Sequence, residues 1–311
     1  MNIGIIEPRD FSKKAIEILN QLGTVEVLHE SDTLSDFIKD KEIIFIRLRY
    51  YIGKEFLDVA INLKFLCTPT TGLTHIDLSE IKKRNIEIIS LKGESEFLSN
   101  IRATPEHTIG LVISLLRNYR NSFLNLNNPI WNRDKYWGHE LFNNRVGLIG
   151  FGRIGKILAK YFNSFEAEVY FYDIDVAINS TYNAIRLDNL EELIKKSKII
   201  ILCASYNKRN KKFFDHRYID LLKDKYFINI SRGELIDEIY LIKKIKNNFF
   251  KGIALDVISD ETKDNNNLSE FLRLTKKRNF ILTPHISGAT YKSIHATEEF
   301  IAGKLKSIIK K

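Results

Sequence analysis

The chain is poor in the residues that staple or kink a fold. Among its 311 residues are two cysteines, Cys67 and Cys203, five prolines and one methionine. Each cysteine lies in an apolar, strand-length segment and the two are far apart. That spacing excludes a disulfide scaffold and a cysteine metal site, so no metal is expected and both read as buried free thiols. No apolar run approaches the ~18 residues needed to span a bilayer, and the longest, such as Lys198–Ser205, is strand-length. Met1–Pro8 opens directly on a strand pattern and lacks the basic, apolar and small-residue segments of a secretory leader. A cytoplasmic protein with no membrane contact is the expectation. Long runs of one charge are missing too. Lys+Arg number 48 against 39 Asp+Glu, a formal net charge of +9, yet cations such as Lys195, Lys196, Lys243, Lys244 and Lys246 are scattered over predicted helix faces. With Ile, Lys and Asn abundant throughout, the charge reads as compositional bias and argues against a nucleic-acid partner.

What is present is an ordinary globular composition, 44% hydrophobic and 28% charged, which excludes disorder as the main state; the length suggests two domains. Short apolar runs alternate with amphipathic stretches. Strands are predicted at Asn2–Ile6, Val25–Leu28, Ile43–Ile46, Lys64–Cys67 and Glu87–Ile89. A second series follows at Val146–Ile149, Glu168–Tyr172, Lys198–Leu202, Tyr226–Ile230, Gly252–Asp256 and Asn279–Leu282. Strands alternating with helices predict an α/β protein with two doubly wound parallel sheets, the second of Rossmann type. Thr104 with Pro105 and Glu106 predicts a helix start with Thr104 as N-cap, running toward Arg120, and Tyr291–Lys311 reads as one amphipathic helix. Between Arg120 and Arg145 lies an irregular stretch holding Pro129, Trp131 and Trp137.

The sharpest local signal is the run from Arg145 to Gly155, a strand feeding Gly150-x-Gly152-x-x-Gly155 and then a helix. Gly150 permits the tight turn, Gly152 lets a pyrophosphate approach the backbone, and Gly155 allows close helix–strand packing. The next strand ends in Asp173, eighteen positions after Gly155, where a carboxylate can bond adenosine ribose hydroxyls and repel a 2′-phosphate; this favours NAD over NADP. Three later strand ends carry candidate reacting groups. Arg232, in Asn229-Ile-Ser-Arg-Gly233, can fork onto a carboxylate. Asp256 closes its strand and leads to Glu261, and His285 follows Pro284 in a segment ending at Gly288. A carboxylate beside a histidine favours the protonated ring, as acid/base chemistry near neutral pH requires.

Taken together, these motifs resemble the D-isomer-specific 2-hydroxyacid dehydrogenase family, which includes D-3-phosphoglycerate dehydrogenase. The resemblance extends to Cys67–Leu78, similar to the family's substrate loop, and to Thr104–Thr108, similar to the start of its interdomain helix. It implies His285 as proton donor and acceptor, Glu261 as its partner, and Arg232 as the anchor of the substrate carboxylate. Gly150, Gly152, Arg153, Ile154 and Gly155 would hold the pyrophosphate of NAD and Asp173 its ribose. Asp256 would meet the nicotinamide carboxamide, and Cys203, Ile230, Ser231 and Gly288 would line the cofactor pocket. Backbone amides near Thr71, Gly72 and Leu73 would bind the substrate carboxylate.

The implied organisation is a discontinuous substrate domain, residues 1–100 with 286–311, around an NAD-binding domain, residues 101–285, without a C-terminal regulatory domain. It also implies a homodimer, with Trp131, Trp137 and the helix from Thr104 as interface material. The activity implied is reversible hydride transfer between NAD and C2 of a small D-2-hydroxy acid. Two alternatives stand beside it. One is a phosphorylated or sugar-derived acid, such as D-3-phosphoglycerate, whose distal anion Arg47 and Arg49 would bind. The other is a non-catalytic NADH-sensing protein.

Overall fold

The computed structural model describes residues 1–124, 133–261, 266–276 and 278–310. Pro129, Trp131 and Lys311 lie outside them. The chain divides into two compact units, one made of Met1–Ile101 with Gly288–Lys311 and the other of Arg102–Ser287.

In the first unit, β1 (Asn2–Ile5), β2 (Thr24–Val27), β3 (Ile43–Phe45), β4 (Phe65–Thr68) and β5 (Glu87–Ser90) form one parallel sheet in the order β2-β1-β3-β4-β5. Ile43, Ile44 and Phe45 are all buried, the continuous apolar run of a strand covered on both faces. The helix Tyr291–Ile309 returns to this unit. Thr290 caps it by accepting from the Ser293 amide at 3.2 Å, and Ile301, Ala302 and Leu305 pack into the core that holds Ile3, Ile5 and Leu19. Burial of each such Ile or Leu side chain stabilises by roughly 1.5–3 kcal/mol.

A polar tie reinforces that docking. Glu298 is fully buried, accepts from Arg47 Nε at 2.9 Å and Nη2 at 2.5 Å, and accepts from the Ser12 amide at 2.8 Å. Arg47, offered to a distal substrate anion by the alternative reading of the sequence, turns its guanidinium onto Glu298 and onto the Arg9 carbonyl, 2.8 Å away. Arg49 is exposed and its guanidinium has no hydrogen bond or ion pair among the described residues.

The second unit holds β6 (Arg145–Ile149), β7 (Glu168–Tyr172), β8 (Ile185–Arg186), β9 (Ile199–Leu202), β10 (Tyr226–Asn229), β11 (Gly252–Leu255) and β12 (Phe280–Leu282). All pair in parallel, in the order β12-β11-β10-β9-β6-β7-β8. The reversal of direction around β6 and β9 is the switch point at which open sheets of this kind take ligands. The two-residue β8 has too little apolar pattern to be read from sequence. The helix expected with Thr104 as N-cap runs Ala103–Leu116, two residues early, with Arg102 at its N-cap and no side-chain cap bond. Pro105 therefore sits inside the first turn, where a missing N–H loses no helical bond. Asn118, at φ 53°, breaks the helix before Arg120, which falls in the next one, Tyr119–Leu124. Among the described residues no helix is long and apolar enough to cross a membrane.

Replacing Glu298 by alanine would leave Arg47 and the Ser12 amide without their partner. A loss of about 2–4 kcal/mol in urea-unfolding free energy is expected.

Candidate active site

Parallel strands put all their C-terminal ends on one edge, and in the second unit that edge carries the chemistry. At the end of β6, Gly150 adopts φ +97°, and a Cβ there would stand 2.6 Å from the Ala204 Cα. A Cβ on Gly155 would stand 2.4 Å from the Gly150 oxygen. Both glycines are therefore demanded by the fold. Gly152 is different. A Cβ on it would meet nothing within 4 Å, and it is the N-cap of the helix Arg153–Ser164, whose N-terminus has no side-chain cap bond. An open cradle at the start of a twelve-residue helix is suited to a pyrophosphate. Asp173 closes β7 and braces the turn, its carboxylate accepting from the Phe151 amide at 2.6 Å and the Asp175 amide at 3.0 Å. Ile154 packs against the core beneath, and burial, with the nearby Arg102 charge, lowers the pKa of Arg153. These groups fit a dinucleotide.

At the end of β9, Cys203 donates its thiol to the Gly150 carbonyl at 3.0 Å, and burial, followed by the Asp173 charge, pushes its pKa up to about 12. At the end of β10 the fully buried Asn229 accepts from the Ser231 amide and donates to the Arg232 carbonyl, both at 3.0 Å. The Ser231 hydroxyl donates to the Ala204 carbonyl, and Ile230 is buried beside it. Asn229 thus shapes the turn that presents Arg232. Burial lowers the Arg232 pKa, opposed by Glu261, Glu234 and Asp256. The one hydrogen bond its guanidinium makes among the described residues runs from Nη1 to the Ser231 carbonyl at 2.7 Å. A desolvated guanidinium with no carboxylate within ion-pair distance among the described residues is suited to an incoming one.

Gly233 lets this turn touch the next, since a Cβ there would lie 2.0 Å from the Ile258 carbonyl carbon. The loop after β11 is also held from below. The buried Glu238 accepts from the Ser259 amide at 2.7 Å and from Asn267 Nδ2 at 3.0 Å. Glu261 follows two residues on and accepts from the Ile258 amide at 3.3 Å.

His285 stands 2.6 Å from Glu261, Nδ1 to Oε2, with both side chains partly exposed. A carboxylate only accepts, so Nδ1 carries the proton and Nε2 is left for exchange. The backbone of His285 is left-handed at φ +53°, a conformation costly for a non-glycine residue and kept only where the surroundings impose it. Asp256 imposes it. Its side chain is fully buried and accepts from Thr283 Oγ1 at 2.7 Å, the Ile286 amide at 2.9 Å and the Ser287 amide at 2.9 Å, with His107 Nε2 at 3.5 Å. Its backbone carbonyl accepts from the His285 amide at 2.8 Å. Burial alone would raise the Asp256 pKa, but these donors outweigh it and hold the carboxyl well below the usual carboxylate range. Asp256 thereby supports the turn that carries His285. Asn229, Glu238, Thr283 and His107 were not anticipated as supports. Only Asn229 carried a signal, as an Asn two residues before a Ser in a turn.

In the other unit, the loop after β4 holds Thr71, Gly72 and Leu73. Thr70 Oγ1 donates to the Gly72 carbonyl at 2.9 Å, and none of the three following amides donates to a described residue. Gly288 also belongs to that unit, with open space where a Cβ would stand.

Residues 109–287 match the family model described as "D-isomer specific 2-hydroxyacid dehydrogenase, NAD binding domain". The chain belongs to this family. The dehydrogenase is 31% identical over 300 residues to a glyoxylate reductase of Thermofilum pendens, covering 91% of this chain and 85% of that one. It is 30% identical over 299 residues to a D-3-phosphoglycerate dehydrogenase of Haemophilus influenzae, covering 94% and 71%. Its fold matches a D-lactate dehydrogenase of Aquifex aeolicus solved with NAD and lactic acid, with a TM-score of 0.83 and 26% identity, covering 99% of this chain and 96% of that one. The dehydrogenase is thus an oxidoreductase of the NAD-dependent class that acts on the CH–OH group of 2-hydroxy acids.

Gly152→Ala should leave the melting temperature near wild type while weakening NADH binding at least about tenfold, because a methyl group fills the cradle and not the core. Gly150→Ala should instead lower the melting temperature, as thermal unfolding with and without NADH would show. The Cys203 thiol should resist alkylation at pH 8 in the folded protein. Its raised pKa favours the folded state below the ordinary thiol range near 9. That contribution is lost as the pH climbs from there toward about 12, so stability measured against pH should fall across this window.

Proposed function

We propose that the protein reversibly transfers hydride between NAD and C2 of a small D-2-hydroxy acid, with His285 as acid/base, Glu261 as its partner and Arg232 as the carboxylate anchor. The observation that carries this reading is the His285–Glu261 pair at 2.6 Å on the same sheet edge as the open glycine cradle. The nicotinamide, when bound, supplies or accepts the hydride. In oxidation, Nε2 of His285 takes the hydroxyl proton while Glu261 steadies the imidazolium that forms; in reduction the same nitrogen returns it. Arg232 holds the carboxylate and offers its remaining N–H groups to the developing carbonyl oxygen.

Gly150, Gly152, Arg153, Ile154 and Gly155 would seat the pyrophosphate, with Asp173 toward the ribose; Cys203, Ile230 and Ser231 would wall the pocket. In the other unit, the open amides of Thr71, Gly72 and Leu73 are suited to a carboxylate. That unit would be the substrate domain. The exposed Phe123, Leu124 and Trp137 support a homodimer, and the two free cysteines fit the reducing cytoplasm. A phosphorylated acid is the second reading, supported by the unpaired guanidinium of Arg49 and the likeness to a D-3-phosphoglycerate dehydrogenase.

Steady-state rates with NADH and glyoxylate, pyruvate, hydroxypyruvate or 3-phosphohydroxypyruvate would separate the two readings. His285→Ala should lose about 10²–10⁴ in kcat with NADH affinity retained. Unchanged turnover in that variant would remove His285 from the mechanism.

A further inference from the structure

The opposite edge of the seven-stranded sheet, where its strands begin, carries a row of cations. Arg145 opens β6, while Lys198, Lys225 and Lys251 directly precede β9, β10 and β11. The register sets Val146 against Ile199, Ile199 against Tyr226, and Tyr226 against Gly252, so the four cations fall at one level on four adjacent strands. Bonds from the Lys198 amide to the Arg145 carbonyl at 2.8 Å, and from the Lys251 amide to the Lys225 carbonyl at 3.0 Å, hold that level. Strands lie about 4.8 Å apart, and like charges on neighbouring strands destabilise a sheet. Among the described residues none of the four has a carboxylate within 4 Å.

The fold accounts for part of the row. Lys225 Nζ donates to the Ser197 carbonyl at 2.6 Å and the Lys195 carbonyl at 3.3 Å, at the C-terminal end of the helix Leu190–Lys196, where a cation is favoured. The rest is not so settled. Lys251 Nζ lies 3.5 Å from His139 Nε2, and the Arg145 side chain is exposed. Lys198 Nζ donates to the Asp224 carbonyl at 2.5 Å, and burial and the Lys251 charge lower its pKa against the opposing charge of Asp224; burial, Lys251 and Lys198 lower that of His139. The backbone that carries His139 is held in place. Its amide donates to the Leu116 carbonyl at 2.9 Å, and a Cβ on Gly138 would lie 2.3 Å from that same oxygen.

We propose that Lys198, Lys251 and His139, flanked by Arg145, form a second anion site for a small multiply charged ligand bearing a phosphate group. Two ammonium groups and an imidazole gather there, none of them ion-paired with a carboxylate among the described residues, and such a group of donors suits a multiply charged anion. An extended polyanion suits the site less, because the row stops at Arg145, whose partner on β7 is Glu168. The nucleotide cradle lies on the other edge of the sheet and does not share these residues.

The test is thermal unfolding of the full chain with NADH saturating, so that the nucleotide site is filled, titrated with inorganic pyrophosphate at low ionic strength. A rise of about 3–6 °C is expected at roughly a hundredfold excess over Kd, and none in Lys198→Gln/Lys251→Gln. Without pyrophosphate the double variant should melt above wild type, because like-charge repulsion is relieved. An equal rise in both proteins, a rise matched by NaCl at the same ionic strength, or a lower melting point of the anion-free variant would overturn the site. Tighter binding of a single-stranded oligonucleotide than of pyrophosphate at about 150 mM salt would overturn the small-ligand assignment. Lys251→Gln alone, at an exposed position, carries the same comparison if the double variant does not fold.

Discussion

Asp256 ends β11 with its carboxylate sealed from solvent, and the turn that presents His285 hangs from it. Two backbone amides, a threonine hydroxyl and His107 surround the two oxygens, while the residue's own carbonyl takes the His285 amide. A buried carboxylate without these donors would be driven to its neutral form. With them it stays charged and fixes the position of every group that offers a hydrogen. The left-handed backbone of His285 is then affordable, because the surrounding bonds leave the turn no relaxed alternative. The 2.6 Å contact with Glu261 is a consequence of that anchoring on one side and of the Glu238 support under Ser259 on the other.

The strand ends on this edge are locked to one another as well as to their own loops. Gly150 lies against Ala204, and Gly233 against Ile258 and Ser259, at separations that exclude any side chain. Each turn therefore forms part of the wall of its neighbour. Cys203 and Ser231 add hydrogen bonds across the same seams, to Gly150 and Ala204. Loops seldom hold reacting groups rigidly, but loops packed edge to edge behave as one body. In this dehydrogenase the open glycine cradle and the His285–Glu261 pair share that body.

Most of this was legible in the residues. Parallel strands announce themselves as continuous apolar runs, and the glycine spacing, Asp173, Arg232, Glu261 and His285 sit at strand ends where ligands gather. What escaped was of two kinds. Short elements without a hydrophobic period, such as β8, carry no signal, and the helix start at Ala103 ignores the preferred cap at Thr104 because burial of Ala103 and Pro105 outweighs a cap bond. Supports were the other kind. Glu238 and Thr283 look like ordinary polar residues until the fold shows what they touch, and the bonds of Asp256 and Arg47 to the protein itself are equally invisible in the sequence. A charged residue near a site has two ways to be used, and only burial and partners distinguish them.

The two edges of the seven-stranded sheet are electrostatically unlike for a reason built into the topology. In a parallel sheet every helix that follows a strand begins near the strand's C-terminal edge and ends near its N-terminal edge, so positive and negative helix ends collect on opposite edges. The first edge suits the phosphates of a cofactor and a substrate carboxylate. The second suits cations, and Lys225 on the carbonyls of Lys195 and Ser197 shows a cation so used. Helix ends satisfy single cations one at a time, however, and they do not ask for Lys198, Lys251 and His139 to stand together. A fold under no other constraint would have dispersed them, as it dispersed Lys195, Lys196, Lys243 and Lys246 over solvated helix faces.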